Sequence, residues 1–240
     1  MKKVLLIIPA YNEAKNIKNL LGEIESYKLN MQLEILLDVL VINDCSTDET
    51  SNVCNLSSVI VIDLPCNLGI GGAVQTGYKY AYKYNYDIAV QVDGDGQHDP
   101  SYLSSVLVPL VQDQADLVIG SRYIANEGFQ STQFRRIGIR FFSNLLKLLS
   151  GSKISDPTSG FRACNTKVIK QFSNYYPKDY PEPESIMCLL RLGHRIEEVP
   201  VQMRARKEGI SSINIKRSIY YMLKVTLAIL IDRLRENKAV

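Results

Sequence analysis

The sequence predicts an α/β protein built on a mostly parallel, Rossmann-like sheet flanked by helices. Short runs rich in Val and Ile alternate with longer helical patterns, and each of the first four apolar runs stops at a residue able to bind a ligand. The chain is also long enough: 240 residues with 46% hydrophobic content bury the core of one large domain, or of one domain plus an appendage.

Lys3 to Ile8 reads as the first strand, and Asn12 to about Ser26 as a helix opening at an Asn cap. Val39 to Asn43 is the second strand, and Ser46-Thr-Asp-Glu49 after it has capping-box spacing. Val59 to Ile62 follows as a strand and Gly72 to Tyr84 as a helix, in which Tyr78, Tyr80, Tyr82 and Tyr84 alternate too closely to share one face. Ile88 to Val92 is a continuous apolar strand, Asp99-Pro100 supplies a cap and first residue for the next helix, and Leu117 to Gly120 is a further strand. Ligands of open α/β sheets lie outside the carboxyl ends of the strands, so Pro9, Asn12, Asp44, Asn67 and Asp93 are predicted to converge.

Phe134 to Leu149 and Ser218 to Leu234 read as amphipathic helices with basic residues along or beside them. The longest uncharged run of the second, Val225 to Ile231, is far below the roughly 18 to 20 residues of a membrane span. Two roles stay open for these helices, facing the core or docking at a membrane interface. The organisation expected is a main domain over 1–211 and a basic amphipathic helix over 212–240. The net charge of +3 hides an asymmetry, with 11 Lys/Arg against 5 Asp/Glu from Arg191 onward. With no Trp, no zinc spacing and no RNP-like motif, nucleic acid is not expected as a partner. A phosphate-bearing substrate or an anionic membrane fits the basic end better. Five cysteines at no metal-ligand spacing, and an N-terminal apolar run of five residues that stops at Pro9, predict reduced thiols in a cytoplasmic chain.

The most chemically pointed stretch is Val90-Gln-Val-Asp-Gly-Asp-Gly-Gln-His-Asp-Pro100. Asp93 and Asp95 at a strand end offer hard oxygen ligands to Mg²⁺ or Mn²⁺, ions that bind one or two carboxylates together with a substrate's phosphates. Tyr11 and Glu13 are placed to bracket a base or ribose, and Asp44 to accept hydrogen bonds from one. Asn67-Leu-Gly-Ile-Gly-Gly72 is glycine-rich but lacks the dinucleotide fingerprint. Gly120-Ser-Arg-Tyr123 puts Arg122 just past a strand end. His98 reads as structural and His194 as part of a solvated turn.

Taken in order, Pro9-Ala-Tyr-Asn-Glu13, Asn43-Asp44-Cys-Ser-Thr-Asp48, Asp93-x-Asp95-x-Gln97-His98, Asp156-Pro-Thr-Ser-Gly-Phe-Arg162 and Arg206-x-x-Gly209-x-Ser211 resemble the signatures of family-2 inverting glycosyltransferases. The likeness is strongest to the dolichyl-phosphate mannose synthase branch and runs from Val4 to about Ser211. It implies the GT-A nucleotide-diphospho-sugar transferase fold, with 1–211 as the catalytic domain. It implies Asp93, Asp95 and Gln97 as ligands of Mg²⁺ or Mn²⁺, and Pro9, Ala10, Tyr11, Glu13, Asp44, Asp93, Gly94 and Arg206 on the nucleotide sugar, whether UDP-, GDP- or dTDP-linked. The lysine often found after the last serine of the pattern is Ser212 here, which leaves the diphosphate to Arg206 and Lys207.

The reaction implied is inverting transfer of a hexose to a polyprenyl phosphate such as undecaprenyl phosphate, for cell-envelope glycan assembly. That acceptor is already anionic at neutral pH and needs cations rather than a base. Arg122 and Arg136, with Arg135 and Arg140 near, are the candidate clamp, because guanidinium binds phosphate bidentately. The alternative is a sugar hydroxyl of a growing cell-surface polysaccharide, which requires a carboxylate base, Asp156 or Glu184. A non-catalytic nucleotide-sugar-binding module is disfavoured by the metal motif and the arginines. With no spanning segment, the chain is expected at the inner face of the membrane, docked by its amphipathic helices or by a small membrane-protein partner.

Overall fold

The computed structural model describes residues 1–125, 127–128, 133–205 and 215–235, with the side chains of 133–134 and 215–219 excluded. An unbroken aliphatic run from Val4 to Ile8, wholly buried, makes β1 (Lys2–Ala10) an interior strand of the sheet. It is followed by α1 (Ala14–Asn30), β2 (Ile35–Asn43), α2 (Thr50–Asn55), β3 (Ile60–Asp63), α3 (Gly69–Lys83) and β4 (Ile88–Gln91). A 3-10 turn at Pro100–Tyr102 leads into α4 (Leu103–Val111), then come β5 (Leu117–Ser121), α5 (Gln133–Ser150), β6 (Arg162–Asn165), α6 (Thr166–Asn174), α7 (Pro181–Arg191), β7 (Ile196–Pro200) and α8 (Ile215–Leu234).

The seven strands form one sheet in the order β3-β2-β1-β4-β6-β5-β7. Every pairing is parallel except those of β6, which runs against both β4 and β5. Alternate residues of β1 feed two cores, as the two-residue period of a strand requires. Val4, Leu6 and Ile8 pack with Ile17, Leu20 and Ile24 of α1 and with Val106 and Leu107 of α4. Leu5 and Ile7 pack toward the layer that holds Val74 of α3, Phe142 of α5, Phe172 of α6, Ile186 of α7, and Val225 and Ile229 of α8. Helices therefore cover both faces.

Asp99 and Pro100 act as the sequence predicts: Asp99 accepts from the Ser101 amide at 2.9 Å and Pro100 opens the turn. Two other expected caps are not formed. Asn12 has a left-handed backbone, φ 56°, and α1 starts two residues later with no side-chain cap. Its Oδ1 accepts instead from the Thr47 amide at 2.8 Å, while the Asn12 amide donates to Ser46 Oγ at 2.9 Å. Ser46 and Glu49 consequently make no capping box; α2 begins at Thr50, whose amide donates to Asp48 Oδ1. The polar residues read as local caps tie the β1–α1 and β2–α2 loops to each other across the sheet edge.

Of the tyrosines on α3, Tyr78 is buried while Tyr82 and Tyr84 are exposed. All five cysteines are free; burial pushes the thiol of Cys54 up to about 11 and that of Cys164 up to about 12. Among the described residues no helix is long and apolar enough to cross a membrane. The helix expected as an appendage packs on the domain: Val225 and Ile229 of α8 are buried, and its Asp232 pairs with Arg191 of α7 at 3.2 Å with both side chains inside.

If α8 is integral to the core, Ile229→Ala lowers unfolding free energy by about 2 to 5 kcal/mol. Leu227→Ala, at an exposed position of the same helix, stays within about 0.5 kcal/mol. Urea titration of both variants checks this, and equal midpoints would show that α8 contributes nothing to the fold.

Candidate active site

The site lies at the edge where β1, β2, β4, β5 and β7 end and the reversed β6 begins. Its floor is the turn after β4. The Asp93 amide donates to His98 Nδ1 at 3.0 Å, which leaves the ring proton on Nε2, 3.7 Å from Asp93 Oδ2. The His98 ring is buried and stacked on Phe161 with centroids 5.2 Å apart, so it braces the turn, the structural part read for it from sequence. Asp95 Oδ1 accepts from the Gln97 amide at 3.0 Å. Beneath the turn, buried Gln91 donates to Asp93 Oδ1 at 3.4 Å and accepts from Tyr176.

Two glycines let the backbone close in. The Gly94 amide donates to the Pro9 carbonyl at 3.3 Å, and a Cβ there would sit 3.0 Å from that oxygen. A Cβ on Gly160 would lie 2.9 Å from Asp93 Oδ2, so any larger residue there would have to displace that carboxylate. Among the described residues no three His, Cys, Asp or Glu side chains gather as a metal cage. The donor set still fits Mg²⁺ or Mn²⁺: two carboxylates and one carboxamide at a solvent-reached turn leave positions for substrate phosphates.

At the β1 and β2 ends, the Asp44 amide donates to the Ala10 carbonyl at 2.9 Å. The buried Asp44 carboxylate accepts from the Leu68 amide at 2.7 Å and the Gly69 amide at 2.9 Å. Asp44 thus caps α3, and the glycine-rich loop is where that helix starts rather than a dinucleotide cradle. Tyr11 stands half exposed at the rim, and Glu13 Oε2 accepts from Asn16 at 2.7 Å.

The cationic side differs from the sequence reading in one respect. Arg122 and Asp156, expected in two alternative mechanisms, are a single buried bidentate pair, Nε to Oδ2 at 2.6 Å and Nη2 to Oδ1 at 2.7 Å. Asp156 also accepts from the Arg122 amide at 3.2 Å and Thr158 Oγ1 at 3.2 Å, so all four lone-pair positions of the carboxylate are filled. That saturation removes Asp156 as a general base. Arg122 in turn has two donors committed to Asp156 and Nη2 shared with Thr158 at 3.0 Å, which makes it a frame for the arginines beside it. Arg136 and Arg140, four residues apart on α5, line a cleft of about 340 Å³ with Tyr123, Asn144 and Ser155, and neither has a protein anion as partner among the described residues. Arg135 lies near Arg122, and burial with that like charge lowers its pKa. Arg206 and its loop lie outside the described residues.

Glu184, the other candidate base, is turned away. It accepts from the Tyr175 hydroxyl at 2.9 Å in a separate cleft of about 450 Å³ with Tyr180 and Lys224. Sequence reasoning missed Glu182, two residues earlier on α7. Residues i and i+2 of a helix do not share a face, so in Pro181-Glu-Pro-Glu184 only one glutamate can look to the sheet edge. Burial raises its carboxyl above the usual range, with Arg162 opposing, Asp93 adding and Arg122 opposing. Arg162, quoted only as the end of a signature, is fully buried and holds the Ser159 carbonyl through Nε and Nη2 and Ser185 Oγ through Nη1. It fixes both the loop under Asp93 and the start of α7.

The profile of the glycosyl transferase family 2 matches residues 5–172. The chain is 31% identical over 221 residues to the UDP-N-acetylglucosamine--dolichyl-phosphate N-acetylglucosaminyltransferase of Methanococcus voltae, covering 84% of this chain and 85% of that one. It is 30% identical over 221 residues to the undecaprenyl-phosphate mannosyltransferase of Micrococcus luteus, covering 88% of each. In three dimensions it is similar to glucosyl-3-phosphoglycerate synthase from Mycobacterium tuberculosis, solved with Mn²⁺, uridine diphosphate and phosphoglyceric acid. The TM-score is 0.74 at 19% identity, over 100% of this chain and 81% of the other, a likeness that shows the GT-A fold.

Gly160→Ala is expected to push the Asp93 carboxylate aside and weaken Mn²⁺ binding about 10-fold, the size of loss seen when groups around a metal's ligands are displaced. Calorimetric titration measures it beside a thermal melt. Unchanged binding in a folded variant would show that the Asp93 position is immaterial to the cation.

Proposed function

The chain belongs to glycosyl transferase family 2, and from that premise we propose that it transfers a hexose from a nucleotide diphosphate sugar to a polyprenyl phosphate, inverting the anomeric carbon. The observation that carries the choice of acceptor is the Arg136/Arg140 cleft, without a protein anion among the described residues, beside a carboxylate, Asp156, whose lone pairs are all taken. A phosphate monoester is already an anion at neutral pH. It attacks without a base and needs fixed cations for its hold, which two guanidinium groups supply as bidentate donors. The relatives named for polyprenyl-type acceptors support the same reading.

Asp93, Asp95 and Gln97 would hold the divalent cation, Mg²⁺ or Mn²⁺. When bound it neutralises negative charge developing on the leaving diphosphate. Pro9, Ala10, Tyr11, Glu13, Asp44 and Gly94 form the nucleotide side, with Asp44 acting through the loop it caps. The nucleotide is UDP, GDP or dTDP, and Arg206 is assigned to the diphosphate. Arg122 and Asp156 hold the arginine wall in place and leave the phosphate contact to Arg136 and Arg140.

A lipid acceptor requires the site to face a membrane. Ile137 and Phe141 of α5 and Leu223, Leu227, Leu230, Ile231 and Leu234 of α8 are all exposed, and the chain from Arg191 onward carries excess positive charge. Both features support peripheral docking on an anionic inner leaflet, by the helices themselves or through a small membrane protein. The product would enter cell-envelope glycan assembly.

A hydroxyl acceptor is the second reading, and Glu182, with its raised carboxyl, is the observation that favours it. The two are separated by transfer assays with a short polyprenyl phosphate and with an oligosaccharide, each with and without EDTA. With the lipid phosphate, Arg136→Ala raises the acceptor KM about 10- to 100-fold, loss of a charge-assisted contact of roughly 1.5 to 3 kcal/mol. Glu182→Gln keeps appreciable kcat. A loss of about 10²- to 10⁴-fold in kcat for Glu182→Gln, with Arg136→Ala mild, would sink the polyprenyl phosphate reading. Separately, the protein should sediment with anionic vesicles at physiological salt and release at high salt, as the screening length falls from about 8 Å to about 3 Å at 1 M. Equal binding to neutral vesicles would remove the electrostatic part.

A further inference from the structure

The turn that carries the metal motif is stitched to the segment following β7. His98 and Met203 form an antiparallel bridge, the Arg204 amide donates to the Gln97 carbonyl at 2.9 Å, and Gln97 Nε2 donates to the Arg204 carbonyl at 3.3 Å. The Arg204 guanidinium then reaches two ways. Nε and Nη2 lie 3.2 and 2.9 Å from Asp99 Oδ2, and Nη1 binds Glu23 of α1. Asp99 is itself immobilised, because its other oxygen caps the 3-10 turn.

A carboxamide that gives its nitrogen to a carbonyl presents its oxygen on the opposite side. The Gln97 main chain is fixed as well, by its amide on Asp95 Oδ1, and Gln97 Oε1 has no partner among the described residues. We propose that Arg204 is a positioning residue for the divalent cation: by holding its own carbonyl against Gln97 Nε2 it selects the orientation in which Oε1 is offered beside Asp93 and Asp95. The inference rests on the metal role assigned above to those three residues. An ion pair whose side chains are 35% and 38% exposed adds little to stability, so the consequence of the network is orientation. Arginine suits the task where lysine does not, since one planar fork spans carboxylates on two different elements.

The test uses the purified full chain and Mn²⁺ followed by electron paramagnetic resonance, with whichever of UDP, GDP or dTDP supports the tightest Mn²⁺ binding to wild type. Gln97→Ala and Arg204→Ala are each expected to raise the Mn²⁺ dissociation constant about 10-fold, the usual loss for a group that orients a ligand. The double variant is expected to be no weaker than Gln97→Ala alone, because the second substitution acts through the first. Arg204→Lys falls between wild type and Arg204→Ala. Saturating Mn²⁺ is expected to restore kcat and donor KM to Arg204→Ala, a rescue that a merely structural lesion would not give. If Asp95→Asn leaves Mn²⁺ binding intact, the metal reading fails and this inference with it. If Gln97→Ala is silent while Asp95→Asn is not, the cation rests on the carboxylates without Gln97 and the role of Arg204 is overturned; if the two losses multiply in the double variant, the metal reading stands and the role of Arg204 is overturned.

Discussion

Because β6 runs against β4 and β5, the loop leading into it arrives at the same edge at which those two strands end. A wholly parallel sheet would have sent that loop to the far side of the molecule. The reversal brings Gly160 under Asp93, Phe161 under His98 and Asp156 against Arg122, three contacts on which the site's shape depends. It also seats Arg162 between the sheet and α7, where one guanidinium serves the Ser159 carbonyl and the Ser185 hydroxyl. The Asp93–Gln97 turn, the Arg122–Asp156 pair and the start of α7 are all fixed from this short strand.

Buried charge is handled here by saturation. The Arg122–Asp156 pair is out of water, and such a pair is tolerated only when the remaining donors and lone pairs are filled. Thr158 and the Arg122 amide complete the carboxylate, while Glu198 accepts from the Ser155 and Asp156 amides and holds the backbone beneath. Removing either partner of such a pair typically costs about 3 to 5 kcal/mol, so a variant of Asp156 reports on folding before it reports on chemistry. The same saturation sets Arg122 apart from Arg136 and Arg140, which line the neighbouring cleft and which no protein carboxylate neutralises among the described residues.

Much of the frame was legible in the sequence, since buried strands of a parallel sheet are continuous aliphatic runs and the ligand edge follows from chain direction. The Asp-x-Asp turn and the Asp99-Pro100 start announce themselves through local chemistry. β6 and β7, no shorter than β3 and β4, escaped because Arg162, Asn165, Glu197 and Glu198 break their apolar runs. Caps were misassigned at Asn12 and Ser46 for a related reason. Local rules pair a polar side chain with amides of its own segment, whereas these reach a neighbouring loop more than thirty residues away. Likewise nothing in the one-dimensional pattern tells which glutamate of Pro181-Glu-Pro-Glu184 turns inward.

The ties that complete the metal turn are distant along the chain: Gln97 to Arg204 spans 107 residues and Arg204 to Glu23 spans 181. Closing such loops costs more chain entropy than closing short ones, and non-local pairing of this kind slows folding. The ties of the rim are nearer in sequence, with Asn12 to Thr47 spanning 35 residues and Asp44 to Gly69 spanning 25. The two halves of the site therefore differ in the length of chain each must close. The Asp93–Gln97 turn gains its support only when β6 has paired with β4 and the residues after β7 have been brought back to it.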